Sequence, residues 1–434
     1  MKLTSKKIYP NYYLLLIFII AFPFLVLPWW NIYYSTLTKL VYLTLFTIVL
    51  WSFLLLQWVK QRRLPQFPQS RAEKLLIIFF FVICLSTLFA QDIMVSFWGS
   101  LHKLHGFIAW FGYISLFLFS YRLIPVNKVI KIVRLMVFAS FFVSIYGIIQ
   151  HFYLDRLVAE PIERVFVRSW AFFDNSNHFG TYLVIMMLSA MTFYLMADNV
   201  KEFSVYWVII STLYIAVLYT FTRGAWLAIL GGMIVLTIFV VWKNRQAWKR
   251  WVLLLVSLVL LLILVNISED NFLFYRLFSI GEDVNSVFLE EDGDMAGAGR
   301  WGIWATTVPL VKDYYLLGSG PSSFSIVFPY TEYWKEHGLD NSHNEFLEIA
   351  FSMGIPALLL YIAFLFTIIK QGFIAARQVN GDKQIFLYGL LATIIGYLIK
   401  TLFNISVIPV APLFWVLLAM CYAFSLNIMN KRIE

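Results

Sequence analysis

Apolar runs of about 20 residues, each long enough to cross a bilayer core, repeat along this chain with polar breaks between them. They predict twelve spans, at 12–30, 36–59, 75–91, 107–124, 133–151, 178–197, 204–221, 224–241, 251–267, 345–369, 385–403 and 408–427. Most of the breaks are short. Two are not: residues 152–177 and, above all, 268–344. The pattern therefore divides the chain into a helical block over 1–267, a large loop over 268–344 and a second helical block over 345–434. The first run, from Tyr12 to Trp30, spans and lacks a small-residue cleavage site, so it reads as a membrane helix rather than a cleaved leader. One span opens oddly. "DNSHNEFLEIAFSMGIP" places Asp340, Asn341, His343, Asn344, Glu345 and Glu348 where a helix is about to enter lipid. Hydrocarbon cannot solvate such groups, so they call for a polar cavity.

Composition agrees with the pattern. Of 434 residues 61% are hydrophobic and 13% charged, with a mean hydropathy of +0.79. A soluble domain would carry about 25% charged residues. The fold class expected is an all-α polytopic transmembrane bundle. Its net charge of +9 reflects orientation. With the N-terminus inside, most basic residues fall in short cytoplasmic loops, among them Lys60, Arg71, Arg122, Lys128, Lys201, Lys243, Arg250, Arg377 and Lys383. Most acidic residues fall outside. By the positive-inside rule both termini are cytoplasmic and the 268–344 loop is extracytoplasmic. Nucleic acid is excluded as a partner on the same ground. The cytoplasmic loops hold no phosphate-binding glycine loop or dinucleotide fingerprint, and no internal repeat suggests a duplicated transporter. Cys84 and Cys421 lie in separate spans and suggest neither a disulfide nor a metal site.

Under this topology four polar clusters share the outer face. "RSWAFFDNSNHFG" carries Arg168, Asp174, Asn175, Asn177 and His178; "TFTRGAWLAILGG" carries Arg223 in a tight turn. "GRWGIWATTVPLVKDYYLLGSGPSSF" carries Arg300, Trp301, Trp304, Gly318 and Gly320, and the fourth cluster holds His343. The arginine fork stays charged and matches phosphate oxygens in pairs. Arg168, Arg223 and Arg300 thus suit a lipid-borne diphosphate and the charge that grows as it leaves. An imidazole, with an ordinary pKa of about 6.5, suits proton acceptance from a hydroxyl. Plainer roles stand beside these. A lone arginine at a span end ordinarily anchors to headgroups, His178 and the asparagines serve as helix caps, and the two glycines serve as positive-φ turns. Trp301, Trp304, Val308 and Val311 read as one apolar face lying on membrane or core. "EEDGDMAG" reads as a solvated acidic loop, not a metal site.

Taken in order, these segments resemble the O-antigen ligase and polymerase superfamily of bacterial membrane proteins. "SHNEFLEIAFSMGIP" resembles its His-Asn…Gly motif, through His343, Asn344 and Gly354. "TFTRGAWLA" resembles its Ser/Thr-Arg-Gly turn, and "GR…W" with "GSGPSSF" its loop pattern. The resemblance implies a GT-C-like, metal-independent inverting glycosyltransferase without a cofactor, in the cytoplasmic membrane. Its donor would be a glycan on undecaprenyl diphosphate and its acceptor a glycan or glycolipid. It further implies His343 as the base, with Glu348 orienting it. Arg223 and Arg300, with Arg168 as a third, would hold the diphosphate, and Asn177 and Asn344 would line the substrate. A flippase for lipid-linked saccharides is the alternative. It would need charges deep in several spans, whereas the charges here sit mostly at span ends.

Overall fold

A computed structural model describes residues 10–26, 35–61, 70–101, 103–152, 168–243, 247–289, 299–329 and 339–430. The acidic stretch Asp292–Asp294 lies outside them. Among the described residues the regular structure is helical throughout. In chain order the helices are α1 (Pro10–Ala21), α2 (Ser35–Gln61), α3 (Arg71–Leu88), α4 (Ile93–Trp98), α5 (Phe107–Leu123) and α6 (Val129–His151). Next come α7 (Ser176–Met196), α8 (Val200–Tyr219), α9 (Arg223–Lys243), α10 (Trp248–Ser268) and α11 (Phe272–Leu289). The last group is α12 (Arg300–Leu310), α13 (Phe324–Val327), α14 (Glu345–Met353), α15 (Ile355–Ala376), α16 (Asp382–Thr401) and α17 (Ala411–Asn430).

Nine of these helices are long and apolar enough to cross a membrane: α2, α6 to α10, and α15 to α17. The remaining three spans expected from hydropathy fall on α1, α3 and α5, with 12, 18 and 17 residues. The chain is a polytopic helical membrane protein. Its centre is α7, whose apolar length is wholly buried against α6, α8, α9 and α16. A helix surrounded by helices has no lipid face, which is why this stretch shows almost no amphipathic bias.

The span expected at 345–369 is two helices. Gly354 sits at φ +89°, which glycine tolerates and L side chains do not, and Pro356 behind it supplies no N–H. The chain turns there, ending α14 and starting α15. The orphan carbonyls of α14 are taken by the preceding loop. Ser319 N donates to Phe351 O at 3.0 Å and Gly320 N to Ser352 O at 2.9 Å. Ile355 N in turn donates to Tyr315 O at 2.8 Å. α14 is thereby lashed to the 314–323 loop, with Phe351 buried beside Ile303, Phe324, Phe328 and Leu339. The fit leaves no room: a Cβ on Gly354 would lie 2.4 Å from Leu316 O. Gly354→Ala should therefore cost at least about 2–3 kcal/mol, from backbone strain and displacement of the loop. Thermal unfolding in detergent would read this as a clear fall in Tm, and an unchanged Tm would contradict the packing described.

The two ends of the bundle differ in chemistry. At one end α3 meets α5 through Arg122, which donates from Nε and Nη2 to Glu73 Oε1 at 2.8 and 2.6 Å. Glu73 is buried and closes a capping box with Ser70. That end also holds Lys243 and Arg377, at the close of α9 and just after α15. At the opposite end lie the starts of α7, α9 and α15 and the close of α16.

Candidate active site

The His343 turn is built by two asparagines. Asn341 Oδ1 accepts the His343 N–H at 2.9 Å, and Asn344 caps α14 by accepting from Phe346 N and Leu347 N at 3.0 and 3.1 Å. Between them His343 takes a left-handed conformation, φ 51°, uncommon for a residue with a Cβ. Three more contacts fix the turn. Glu348 Oε2 accepts from Ser342 N at 2.8 Å, Trp304 Nε1 donates to Ser342 O at 2.9 Å, and Glu345 N donates to Asn404 O at 3.0 Å. A strained residue held from three sides is a familiar property of functional positions.

Trp304 lies one turn after Arg300 on α12, so the helix that clamps the turn also delivers the arginine. α12 turns Gly302, Ile303 and Thr307 to the interior. Of the apolar face expected on membrane or core, Trp304 and Val311 pack against the Ile303–Phe351 cluster, while Trp301 and Val308 are 45% and 58% exposed. Gly318 and Gly320 both take positive φ, as expected of turns.

A lysine sits at the centre of the site. Lys400, in the last turn of α16, is 1% exposed, and among the described residues it makes no ion pair. The charges of Arg300 and Arg168 act on it. Gly224 adjoins it: a Cβ there would stand in ordinary contact, 3.6 Å from Lys400 Nζ. His343, half-buried, carries the mark of the same field. Its pKa is pulled down to about 3, first by burial, then by the positive charges of Arg300, Lys103 and Lys400, while a hydrogen bond with the Asn404 side chain opposes the fall. Arg168 is held by Thr220 O at 3.0 Å and Thr222 Oγ1 at 3.3 Å, at the close of α8.

Of the residues singled out in the sequence, the charges of Arg168 and Arg300 act on Lys400, and those of Arg300 and Lys400 act on His343. Arg223 opens α9 and turns to α11 instead, its Nη1 donating to Ser279 Oγ at 2.9 Å. Glu348 meets the turn through the Ser342 backbone, so it shapes the backbone that carries His343. Asn344 spends its amide oxygen on the cap. Asn177 lies half-buried in the first turn of α7, its N–H taken by Asn175 Oδ1 at 2.8 Å. His178 pairs with Asp174 at 2.6 Å. Burial would push the Asp174 carboxyl up, but His178, Thr36 and Lys39 together hold it well below the ordinary carboxylate range. Buried Lys39 satisfies its ammonium with Phe172 O, Ser35 Oγ and Leu25 O at 2.6, 3.0 and 3.1 Å. This cluster pins the 168–175 segment in place.

Three members of the site were not anticipated: Lys103, Lys400 and Asn404. The signal for Lys400 was present, as a lone cation inside an otherwise apolar run. Lys103 and Asn404 carry no motif; only the fold brings them to His343.

Arranged this way, the site sets a neutral imidazole in the field of several fixed cations. Residues 207–362, from within α8 to within α15, match the family model described as O-antigen ligase. No curated protein matches the chain.

Proposed function

We propose, with the O-antigen ligase domain at residues 207–362 as premise, that this membrane protein forms glycosidic bonds from an undecaprenyl diphosphate-linked glycan. The acceptor would be the hydroxyl of a glycan or glycolipid. Buried Lys400 is the observation that carries this reading. An ammonium taken out of water next to two guanidinium groups costs several kcal/mol unless an anion joins it. A diphosphate supplies that anion at the level where a polyprenyl tail enters lipid. With the basic end of the bundle taken as cytoplasmic, this site would face the outer side of the cytoplasmic membrane.

In the proposed reaction the His343 imidazole takes the proton of the acceptor hydroxyl. The freed oxygen bonds to the anomeric carbon from the side opposite the leaving group, inverting it. The bond from that carbon to the phosphate oxygen breaks, and its electron pair leaves with undecaprenyl diphosphate. Arg300, Lys400 and Arg168 meet the charge that develops there. The same cations that lower His343's basicity would be offset by the donor's own charge. The base therefore strengthens when the donor is seated.

Purified protein in liposomes with a labelled lipid-linked glycan and acceptor tests the reading. New glycosidic bonds are the expected result, and product length would separate single transfer from chain growth. Movement of the lipid between leaflets without bond formation would replace the enzyme with a flippase.

A further inference from the structure

Against α14, on the face that carries Glu348, lies a small hollow. His105, from the loop before α5, lines it together with Ser322, Glu345, Glu348 and Ser352. Its volume of about 10 Å³ is close to what centring one water requires. His105 is 7% exposed, Glu345 1% and Glu348 8%. The His105 ring packs against Trp110 and Tyr113 at 5.3 and 5.7 Å. Its Nε2 is buried and makes no hydrogen bond among the described residues. A buried ring nitrogen and two buried carboxylates around a water-sized space match the setting of structural waters, which take two to four polar partners.

The geometry points to a single-water site through which His105 donates to the Glu348 carboxylate, making His105 a positioning residue for the His343 turn. Glu348 can accept the Ser342 N–H fully only when ionised. Burial, with the charges of Asp340 and Glu345, pushes its pKa up to about 7, against the hydrogen bonds from Ser342. Glu345 is raised likewise to about 7 by burial, opposed by its bonds with Ser406 and Tyr361. Lys103 pairs with Asp340 at 3.8 Å. His105 itself is held at about 3, by burial and then by Lys103, so it stays neutral and offers one ring N–H. A neutral donor relayed to Glu348 favours the charged form and lowers its pKa. Removing the donor raises it, and the turn loosens at a higher pH.

Infrared titration of the intact protein in nanodiscs, reading the protonated-carboxyl band that Glu348→Gln removes, tests this without relying on activity. His105→Leu should raise the midpoint of that band by about one pH unit, a tenfold change in the ionisation ratio. His105→Gln, which keeps an N–H at the Nε2 position, should leave it unchanged. Ser352→Val fills the hollow from α14 and should raise the midpoint even with His105 present, which covers a His105→Leu protein that fails to fold. An unmoved midpoint in the variant that does fold overturns the assignment. The effect on catalysis rests on the glycan-transfer reading. A midpoint that moves while the acid limb of transfer stays put would uncouple the turn from catalysis, and a midpoint that moves in a protein that transfers no glycan would sink that reading; either leaves the water site standing.

Discussion

Replacing His343 by Asn is expected to abolish glycan transfer, by about 10²–10⁴-fold, while the protein stays folded and still binds its lipid donor. Asparagine is the informative substitution because position 343 sits at φ 51°. Asn is among the residues that enter this region with little strain, whereas alanine adds a backbone cost to the loss of the ring. The caps from Asn341 and Asn344 and the Trp304 bond to Ser342 involve backbone or other side chains, so the turn survives the exchange. Transfer rate and donor affinity, measured separately in liposomes, would show a collapse of the first with the second retained. A His343→Asn protein that turned over normally would remove the base.

Lys400→Met should act in two opposite directions. Methionine has nearly the same reach and no charge. In the absence of donor the variant should be at least as stable as the natural protein, because an unpaired buried ammonium is gone. With donor, affinity should fall roughly 10- to 100-fold, since one to three kcal/mol of charge-assisted contact to the diphosphate is lost. His343 would become a stronger base, since one of the cations lowering its pKa has been removed. Weaker transfer could not then be blamed on the imidazole. Thermal unfolding with and without undecaprenyl diphosphate reads both halves: the donor-induced rise in Tm should shrink. A variant less stable without donor, and equally stabilised by it, would mark Lys400 as a structural residue.

The membrane architecture was legible because hydropathy responds to the single strongest constraint on a chain in lipid. Its limits are equally physical. α14 and α15 read as one span because Gly354 is compatible with an apolar run. Only the loop backbone at Leu316, packed against it, makes a turn there obligatory. Arg168, Arg300 and His343 stood out as polar groups of the outer-face clusters, and in the fold the charges of Arg168 and Arg300 act on Lys400 and those of Arg300 and Lys400 on His343. Lys103, Asn404 and His105 are ordinary loop residues in sequence. Their place depends on helices from both halves of the chain meeting at one end, which local patterns do not encode. The asparagines show the reverse case. Asn177 and Asn344 suggested substrate contacts, yet Asn344 spends its side-chain oxygen on capping α14, the commoner use of that residue.

The most direct measurement is a cryo-EM structure of the protein in nanodiscs with undecaprenyl diphosphate bound. The diphosphate should lie within hydrogen-bond reach of Arg300 and Lys400, with the His343 ring facing the phosphate oxygen that had carried the sugar. Density for the diphosphate away from this cluster, with Lys400 still enclosed and unpaired, would contradict the account at its root.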